Sequence, residues 1–574
     1  LLSLRVFTTA VIAVLLRPGA AAPSGPVALA AATVAPHAAF AKCPAARHHS
    51  VAQPREARAM ITRRQLGQAS AAGIGASVLG APAIAQRRGG DVVVAQQAQP
   101  PSLDAQTTTA QASRNINLHI YETLYARDEA GNPMPDLAQG VDVSADGLSY
   151  RFALRTGVRF HNGKIMDATD VKASLERYGK VGGSAFIMRP VDAIETPDAR
   201  TVVVKLKEPY PGFIAGLSSP RAPCAIIPAE EAAKEANRIE IIGTGPFRFV
   251  EYRPDSHVRL ARFDGYTPNT NFRERDGFGG RKTAHFDAIT IRFMPEGGAR
   301  TAGLQTGELH VLEALAVPAA QRLRADRNIR TYEMIPWAYQ TLMLNHAQGP
   351  TSTLAFRRAI QAALDLEEIM AISTDGLYRM THGWQHPGTT YFAGDVGKEL
   401  YNIRSPDRAR ALLREAGYRN EEVIVLTDSS FSNHKAAGEV TAEQLKAIGV
   451  NVRLVVLDWP SALTQRTRRE GWHIWTLMMG IEPYEGPYGV VGFFSGHAPV
   501  QHERDPVIED AQRRLTTSLA EADRRKAVAD FQARMYDQAI AIKCGDVGIV
   551  QATRANVENY KPYRIPRMWD CWFA

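Results

Sequence analysis

Cysteine is scarce: four in 574 residues, at 43, 224, 544 and 571, with no CxxC among them. That excludes a zinc ribbon or a thioredoxin-type motif. Long apolar runs are missing too. No stretch after residue 90 offers the ~18 consecutive apolar residues that a membrane-crossing helix needs. The signatures HExxH, GxSxG, GxGxxG and the Walker A loop are absent. His382 and His386 have the i, i+4 spacing that chelates metal on a helix, but Gly383 and Pro387 disfavour a helix and no acidic ligand lies nearby. The chain is therefore not expected to be an enzyme, and no catalytic residue, metal or cofactor is expected. A metal-dependent periplasmic enzyme is the alternative from another class.

A basic body is also missing. The formal net charge is +8, but residues 1–90 hold ten Lys/Arg and one acid. That leaves 57 basic against 58 acidic residues in 91–574. The folded part has no excess to drive phosphate binding, which argues against nucleic acid as a partner.

What is present begins with a leader. Thr62-Arg63-Arg64-Gln65-Leu66 precedes an uncharged Ala/Gly-rich stretch from Ala69 to Ala81, then Ala83-Ile84-Ala85 before Gln86. Charged segment, mildly apolar segment and small-residue site stand in the order of an export signal. The arginine pair resembles a twin-arginine signal. The reading is that Met60 is the start, that 1–59 is an upstream extension outside the mature protein, and that 60–85 is cleaved near Ala85. An oxidising compartment then permits a Cys544–Cys571 bridge; separate buried thiols are the alternative.

Beyond residue 90 the chain has the length of two or three domains. Strand patterns at Asp91–Ala95, Tyr150–Leu154, Thr201–Leu206 and Trp337–Leu344 alternate with helical spacing at Asn115–Tyr125, Asp167–Tyr178, Phe356–Met370 and Asp523–Ile540. Glu421–Thr427, Ala436–Ile448 and Asn451–Leu457 read as a βαβ unit, so the class is α/β with parallel sheet. The segment after Ile540 reads as a loop-rich tail.

Six stretches together resemble one family. They are Tyr121–Tyr125 with Pro135–Ala138; Ser144–Tyr150 running into Leu154–Gly163; Gly243-Thr244-Gly245-Pro246-Phe247; Leu304–Leu309; Leu344-Asn345 with Phe356–Ile360; and Gln444–Val450. Their order is similar to that of the periplasmic dipeptide-, oligopeptide- and nickel-binding proteins, family 5 of the ABC-transporter solute-binding proteins. The resemblance implies an α/β, two-lobed periplasmic-binding-protein fold with a hinge and a third, inserted α+β domain. It assigns 91–128, 244–344 and 545–574 to lobe I, 129–243 to inserted domain II and 345–544 to lobe III. It also implies a monomer that captures a di- or oligopeptide, or a similar small molecule, and delivers it to ABC permease and ATPase subunits. A metal chelate or haem as ligand is the alternative, with Met478, Met479, His434 and His473 near the cleft.

In the dipeptide-binding branch an arginine pairs with the ligand carboxylate, and that position falls on Lys435, beside His434. Lysine keeps the charge and loses the two-pronged fork. The branch's aspartate loop corresponds to Met478–Tyr488, where Tyr484 takes roughly the aspartate's place between Glu482 and Glu485. This departure puts ordinary dipeptide specificity in doubt. Met479, Gly480 and Tyr488 belong to the same loop. Leu103 and Asp104 match the family's first cleft-lining loop. Trp337, Tyr339, Tyr378, Trp384 and Trp475 are further wall candidates by position.

Overall fold

The computed structural model describes residues 88–429, 431–480, 486–495 and 504–574. Lobe I opens with β1 (Asp91–Gln96) and helix α1 (Gln111–Ile120). Domain II contributes β2 (Ala138–Val143), β3 (Ser149–Leu154), α2 (Ala168–Val181), β4 (Val191–Asp198) and β5 (Thr201–Leu206). The chain returns to lobe I through β6 (Phe247–Arg253), β7 (His257–Arg262), β8 (Ala288–Phe293) and β9 (Val311–Leu315). The sixteen-residue β10 (Ile329–Leu344) then crosses to lobe III.

Lobe III holds α3 (Leu354–Ala363), α4 (Leu366–Ser373), β11 (Tyr378–Arg379), β12 (Val423–Asp428), α5 (Ser432–Ala447), β13 (Val452–Leu457) and β14 (Ile474–Met479). Helices α6 (Pro487–Phe494), α7 (Pro506–Thr517) and α8 (Glu521–Asp537) follow, and β15 (Ala541–Arg554) crosses back. Eleven strands form one sheet in the order β13-β12-β14-β10-β15-β9-β1-β8-β7-β6, with β11 added on β15. Domain II has its own antiparallel sheet, β2-β3-β5-β4.

Apolar side chains cover both faces of the long sheet. In lobe I, Ile116, Phe247, Ile289 and Trp569 fill one face, and Leu304, Leu312, Leu323 and Val550 fill the other. In lobe III the faces carry Phe356, Ile360, Val425 and Leu445, and Trp384, Trp472, Trp475, Phe494 and Phe531. Domain II buries Phe152, Val171, Leu175, Tyr178 and Phe213 in a separate core. Each lobe thus has the covered, near-continuously apolar strands of a parallel sheet.

The βαβ unit forms as its periodicity predicts: β12 and β13 pair in parallel across α5. Helix α2 starts where expected, at Asp167, whose carboxylate accepts from the amides of Thr169 and Asp170 while Asp170 reaches back to the Asp167 amide. Such a capping box contributes about 1 kcal/mol.

Three expectations fail for identifiable reasons. The helix predicted over Asn115–Tyr125 instead ends at Ile120. From Ile120 onward the carbonyls are claimed by other segments: Gly245 donates to Ile120, Ile226 to Glu122 and Leu137 to Thr123. The single helix predicted over Phe356–Met370 is two, because Asp365 leaves the helix to cap the amides of Glu367 and Glu368. The supposed tail after Ile540 is β15, fourteen residues long. Its pattern was hidden by Lys543 and Asp546, which are buried in the strand and satisfy each other at 2.9 Å.

Candidate functional site

Strand direction locates the site. β1 runs parallel to β8 and β9, and β9 approaches the lobe crossing as its numbering rises, from Val311 opposite Thr553 to Leu315 opposite Val550. In lobe III, β12 is parallel to β13 and β14, and β14 approaches the crossing from Ile474 opposite Leu344 to Met479 opposite Tyr339. The carboxyl ends of both parallel sets therefore face each other across the crossing of β10 and β15. Open α/β sheets bind ligands at such ends.

The crossing itself is held by buried charge. Asp546 accepts from Lys543 at 2.9 Å and Arg379 at 2.7 Å, and its other neighbour is His386 at 3.2 Å. Burial pushes the Asp546 carboxyl up, but Lys543, His386 and Arg379 together hold it well below the usual carboxylate range. Lys543 lies 4.2 Å from the centre of the Tyr339 ring, and burial lowers its ammonium pKa. One strand away, Arg564 stacks on Trp337 at 4.5 Å and donates to the carbonyls of Pro336 and Trp337.

The glycines of the Gly243–Phe247 joint lie close against neighbouring backbone. A Cβ at Gly243 would stand 2.1 Å from the Ile120 oxygen, and one at Gly245 would stand 2.6 Å from the His119 oxygen. These glycines permit close backbone packing at ordinary φ rather than supplying freedom. His161 fastens the joint. Its Nδ1 accepts the Gly243 amide at 3.2 Å, so the proton sits on Nε2, which donates to Gly245 O at 3.0 Å. Burial lowers its pKa to about 4.

Domain II meets lobe III at two glycines. Tyr488 packs against Gly212 and sits edge-on to Tyr210, with ring centres 6.5 Å apart. Leu519 packs against Gly147. Between the parts lies a cavity of about 600 Å³, lined by Thr109 and Arg127, by Phe186, Arg189, Tyr210 and Arg221 of domain II, and by Tyr488, Phe493 and Gln512 of lobe III. A neighbouring space of about 290 Å³ shares Arg127 and Tyr488 and adds Gln385, Tyr391 and Arg524. The larger volume lies in the range of small-molecule sites, roughly 300–1,000 Å³.

Of the residues proposed from sequence, Tyr488 lines both spaces. Glu482, Tyr484 and Glu485 lie outside the described residues. Gly480 is exposed at the carboxyl end of β14. Lys435 stands half-exposed in the first turn of α5, 3.7 Å from Glu439. Trp337 is partly buried beneath Arg564, and Tyr378 packs on the lobe III core.

The remaining wall candidates lie in packed interiors. Tyr339, Trp384, Trp475 and Met479 are core side chains, at most 5% exposed. Tyr339, Trp475 and Met479 lie on inward-facing positions of a sheet covered on both sides, and Trp384 packs from a loop into the same cluster. Leu103 is in the lobe I core. Asp104 is buried against Arg177, accepting from Nη1 at 3.1 Å, and also takes the Asn237 amide; it ties the first loop to domain II instead of facing a ligand.

The wall residues missed by sequence include Arg127, Phe186, Arg189, Tyr210 and Gln512. Only Tyr210 carried a signal, the turn Pro209-Tyr210-Pro211-Gly212.

The histidines proposed for a metal chelate are engaged elsewhere. His434 Nε2 accepts the Met478 amide at 2.9 Å and its Nδ1–H donates to Asp428 at 2.7 Å. His473 Nδ1 accepts the Ile424 amide. Burial lowers the pKa of both rings. Among the described residues no three His, Cys, Asp or Glu side chains are arranged to hold a metal ion. Cys224, Cys544 and Cys571 are free and buried. Cys544 lies in the lobe III core and Cys571 in the lobe I core, so the Cys544–Cys571 bridge does not form. Among the described residues no helix is long and apolar enough to cross a membrane.

Two α/β lobes joined by crossing strands, an inserted α+β domain and a cavity between them define a solute-binding protein of the periplasmic type. Comparison with known proteins agrees. The chain belongs to the bacterial extracellular solute-binding proteins, family 5, whose middle region matches residues 132–499. A probable peptide ABC transporter periplasmic-binding protein, y4tO of Sinorhizobium fredii, is 26% identical over 483 residues, 81% of this chain and 90% of its own length. The glutathione-binding protein GsiB of Pectobacterium atrosepticum is 28% identical over 396 residues, covering 68% of this chain and 73% of that protein. Among solved structures, NikA of Brucella suis with Fe(III)-EDTA superposes with TM-score 0.74 at 20% identity, covering 84% of this chain and all of that one. AppA of Bacillus subtilis with a nonapeptide gives 0.68 at 21% identity, covering 85% of this chain and all of that one.

Proposed function

We propose that this protein is the exported substrate-binding subunit of an ABC importer. It captures a peptide or peptide-like solute between its lobes and delivers it to a membrane permease with its ATPase. The observation that carries the reading is the cavity of about 600 Å³ walled jointly by domain II, lobe III and the start of lobe I. A site built from separate parts is completed by their approach and opened by their separation. Peptide-binding and glutathione-binding relatives support the solute class.

The protein acts in the periplasm as a monomer, with 60–85 as its twin-arginine-type signal cleaved near Ala85. Binding, with no chemical conversion, is its whole task. The insertion is placed at 129–243 and lobe III at 345–544, a division that the largely separate clusters of buried side chains support. Lys435, at the carboxyl edge of β12, supplies a charge for the ligand carboxylate.

Thermal unfolding of the purified protein with di-, tri- and longer peptides tests the reading. A ligand at a hundred times its Kd stabilises by about 2.7 kcal/mol, a clear upward shift. No shift with any peptide, beside a shift with a chelate or another non-peptide solute, would overturn it. N-terminal sequencing of the exported protein checks the cleavage site.

A further inference from the structure

Aromatic side chains line the larger space from both sides. Domain II contributes Phe186 and Tyr210, and lobe III contributes Tyr488 and Phe493. Local structure turns Phe186 outward. It sits on the single helical turn Ala185–Met188, whose Ile187 and Met188 are buried in the domain II core, and Phe186 itself is 52% exposed. A large apolar ring open to water in a cavity gains free energy when something apolar covers it. The lobe III rings are held in place. The Tyr488 hydroxyl is hydrogen-bonded to that of Tyr391, and its ring meets Tyr210 edge-on. Phe493 stands edge-on to Phe494, with ring centres 5.3 Å apart. Two of the guanidiniums in the walls are engaged within the chain. Arg127 donates to the carbonyls of Gly131 and Ala215. Arg524 donates to the Tyr391 hydroxyl and to the carbonyls of Ser518 and Leu519, with Glu521 beside it. The smaller space differs in character: Gln385, Thr389 and Thr390 give it neutral hydrogen-bonding groups.

We infer that the solute is a peptide-like molecule with a large apolar or aromatic side chain, which the larger space takes between domain II and lobe III, and that Phe186 selects for it. This rests on the reading of the cavity as the solute site. An aromatic side chain buries roughly 150–250 Å² and gains further from edge-to-face or offset contact with other rings. The four rings come from two parts of the chain, so closure of domain II on lobe III covers such a side chain from both sides and opening releases it. The polar backbone of the same solute then finds hydrogen-bonding partners in the smaller space, which shares Tyr488 with the larger one. A solute with only small side chains leaves Phe186 against water. One with a polar side chain there buries a polar group against rings, which costs free energy.

The test is calorimetric titration of the purified protein with length-matched tripeptides: Ala-Ala-Ala, and the same peptide carrying one Phe or one Gln at each position in turn. The best Phe peptide is expected to bind about tenfold or more tighter than the Gln peptide substituted at the same position, with a more negative heat-capacity change. Phe186→Ala should remove most of that preference, and Phe186→Leu should keep part of it; the unfolding temperature of each variant checks that it is folded. Equal affinity for the Phe and Gln peptides, or tighter binding of the Gln peptide or of Ala-Ala-Ala, overturns the apolar assignment and leaves the importer reading standing. Retention of the full preference in Phe186→Ala overturns the role of that residue. Binding of none of these peptides overturns the inference, and if a non-peptide solute then raises the unfolding temperature it overturns the peptide reading beneath it as well.

Discussion

The Tyr488 ring on α6 lies against Gly212 of domain II, so close that a Cβ at 212 would stand 2.7 Å from Cε1 and 2.9 Å from Cζ. Gly212 has an ordinary φ of −76°, so space and not backbone conformation requires glycine there. Gly212→Val should hold domain II and lobe III apart. The expected result is a ligand affinity reduced by about tenfold to a hundredfold, 1.4–2.8 kcal/mol, with a larger radius of gyration in solution scattering. Tyr488→Ala in the same chain should restore closure while losing the ring's own contact, a coupling that a double-mutant cycle measures.

Asp546 and Lys543 should be far more costly to separate than to keep. Both are fully buried, and Arg379 and His386 share the carboxylate. Asp546→Ala would leave the Lys543 ammonium without its counter-charge at the strand crossing. The expected loss is about 3–5 kcal/mol in urea unfolding. Lys543→Met together with Asp546→Leu should lose less than Asp546→Ala alone.

Lys435→Ala should separate binding from stability. Its contact with Glu439 is an exposed i, i+4 pair, worth about 0.3–0.5 kcal/mol. Unfolding should hardly change, while peptide affinity falls about tenfold. Unchanged affinity would make Lys435 an ordinary solvated residue.

Acid should weaken the fold through two neutral histidines. Burial lowers His119 and His161 to about 4, so the unfolded chain takes up protons first as pH falls below 6.5. Stability from these groups is complete above 6.5 and is lost towards pH 4, roughly 3 kcal/mol each. Asp136 acts in the opposite direction. Burial raises its carboxyl to about 6, so the folded state holds its proton more tightly and gains as pH drops from 6 to 3.8. His161→Gln should flatten the decline between pH 6.5 and 4 in unfolding curves taken at a series of pH values.

The sequence by itself determined the family, the α/β class and the elements whose pattern is local. The βαβ unit 423–457 and the Asp167 cap follow from periodicity and from a short polar side chain beside its own helix. It also marked Tyr488. Only the tertiary structure decided which aromatics face the cavity. Trp384 and Trp475 have the composition of a ligand wall, yet the sheet is covered on both faces and takes them into its core. It also decided that β15 is a strand, because Lys543 and Asp546 are tolerable inside a sheet only when paired there. The arginines of the cavity come from segments near 127, 189, 221 and 524. No local pattern records that four distant positions converge; chain topology and the packing of the two lobes and the inserted domain bring them together.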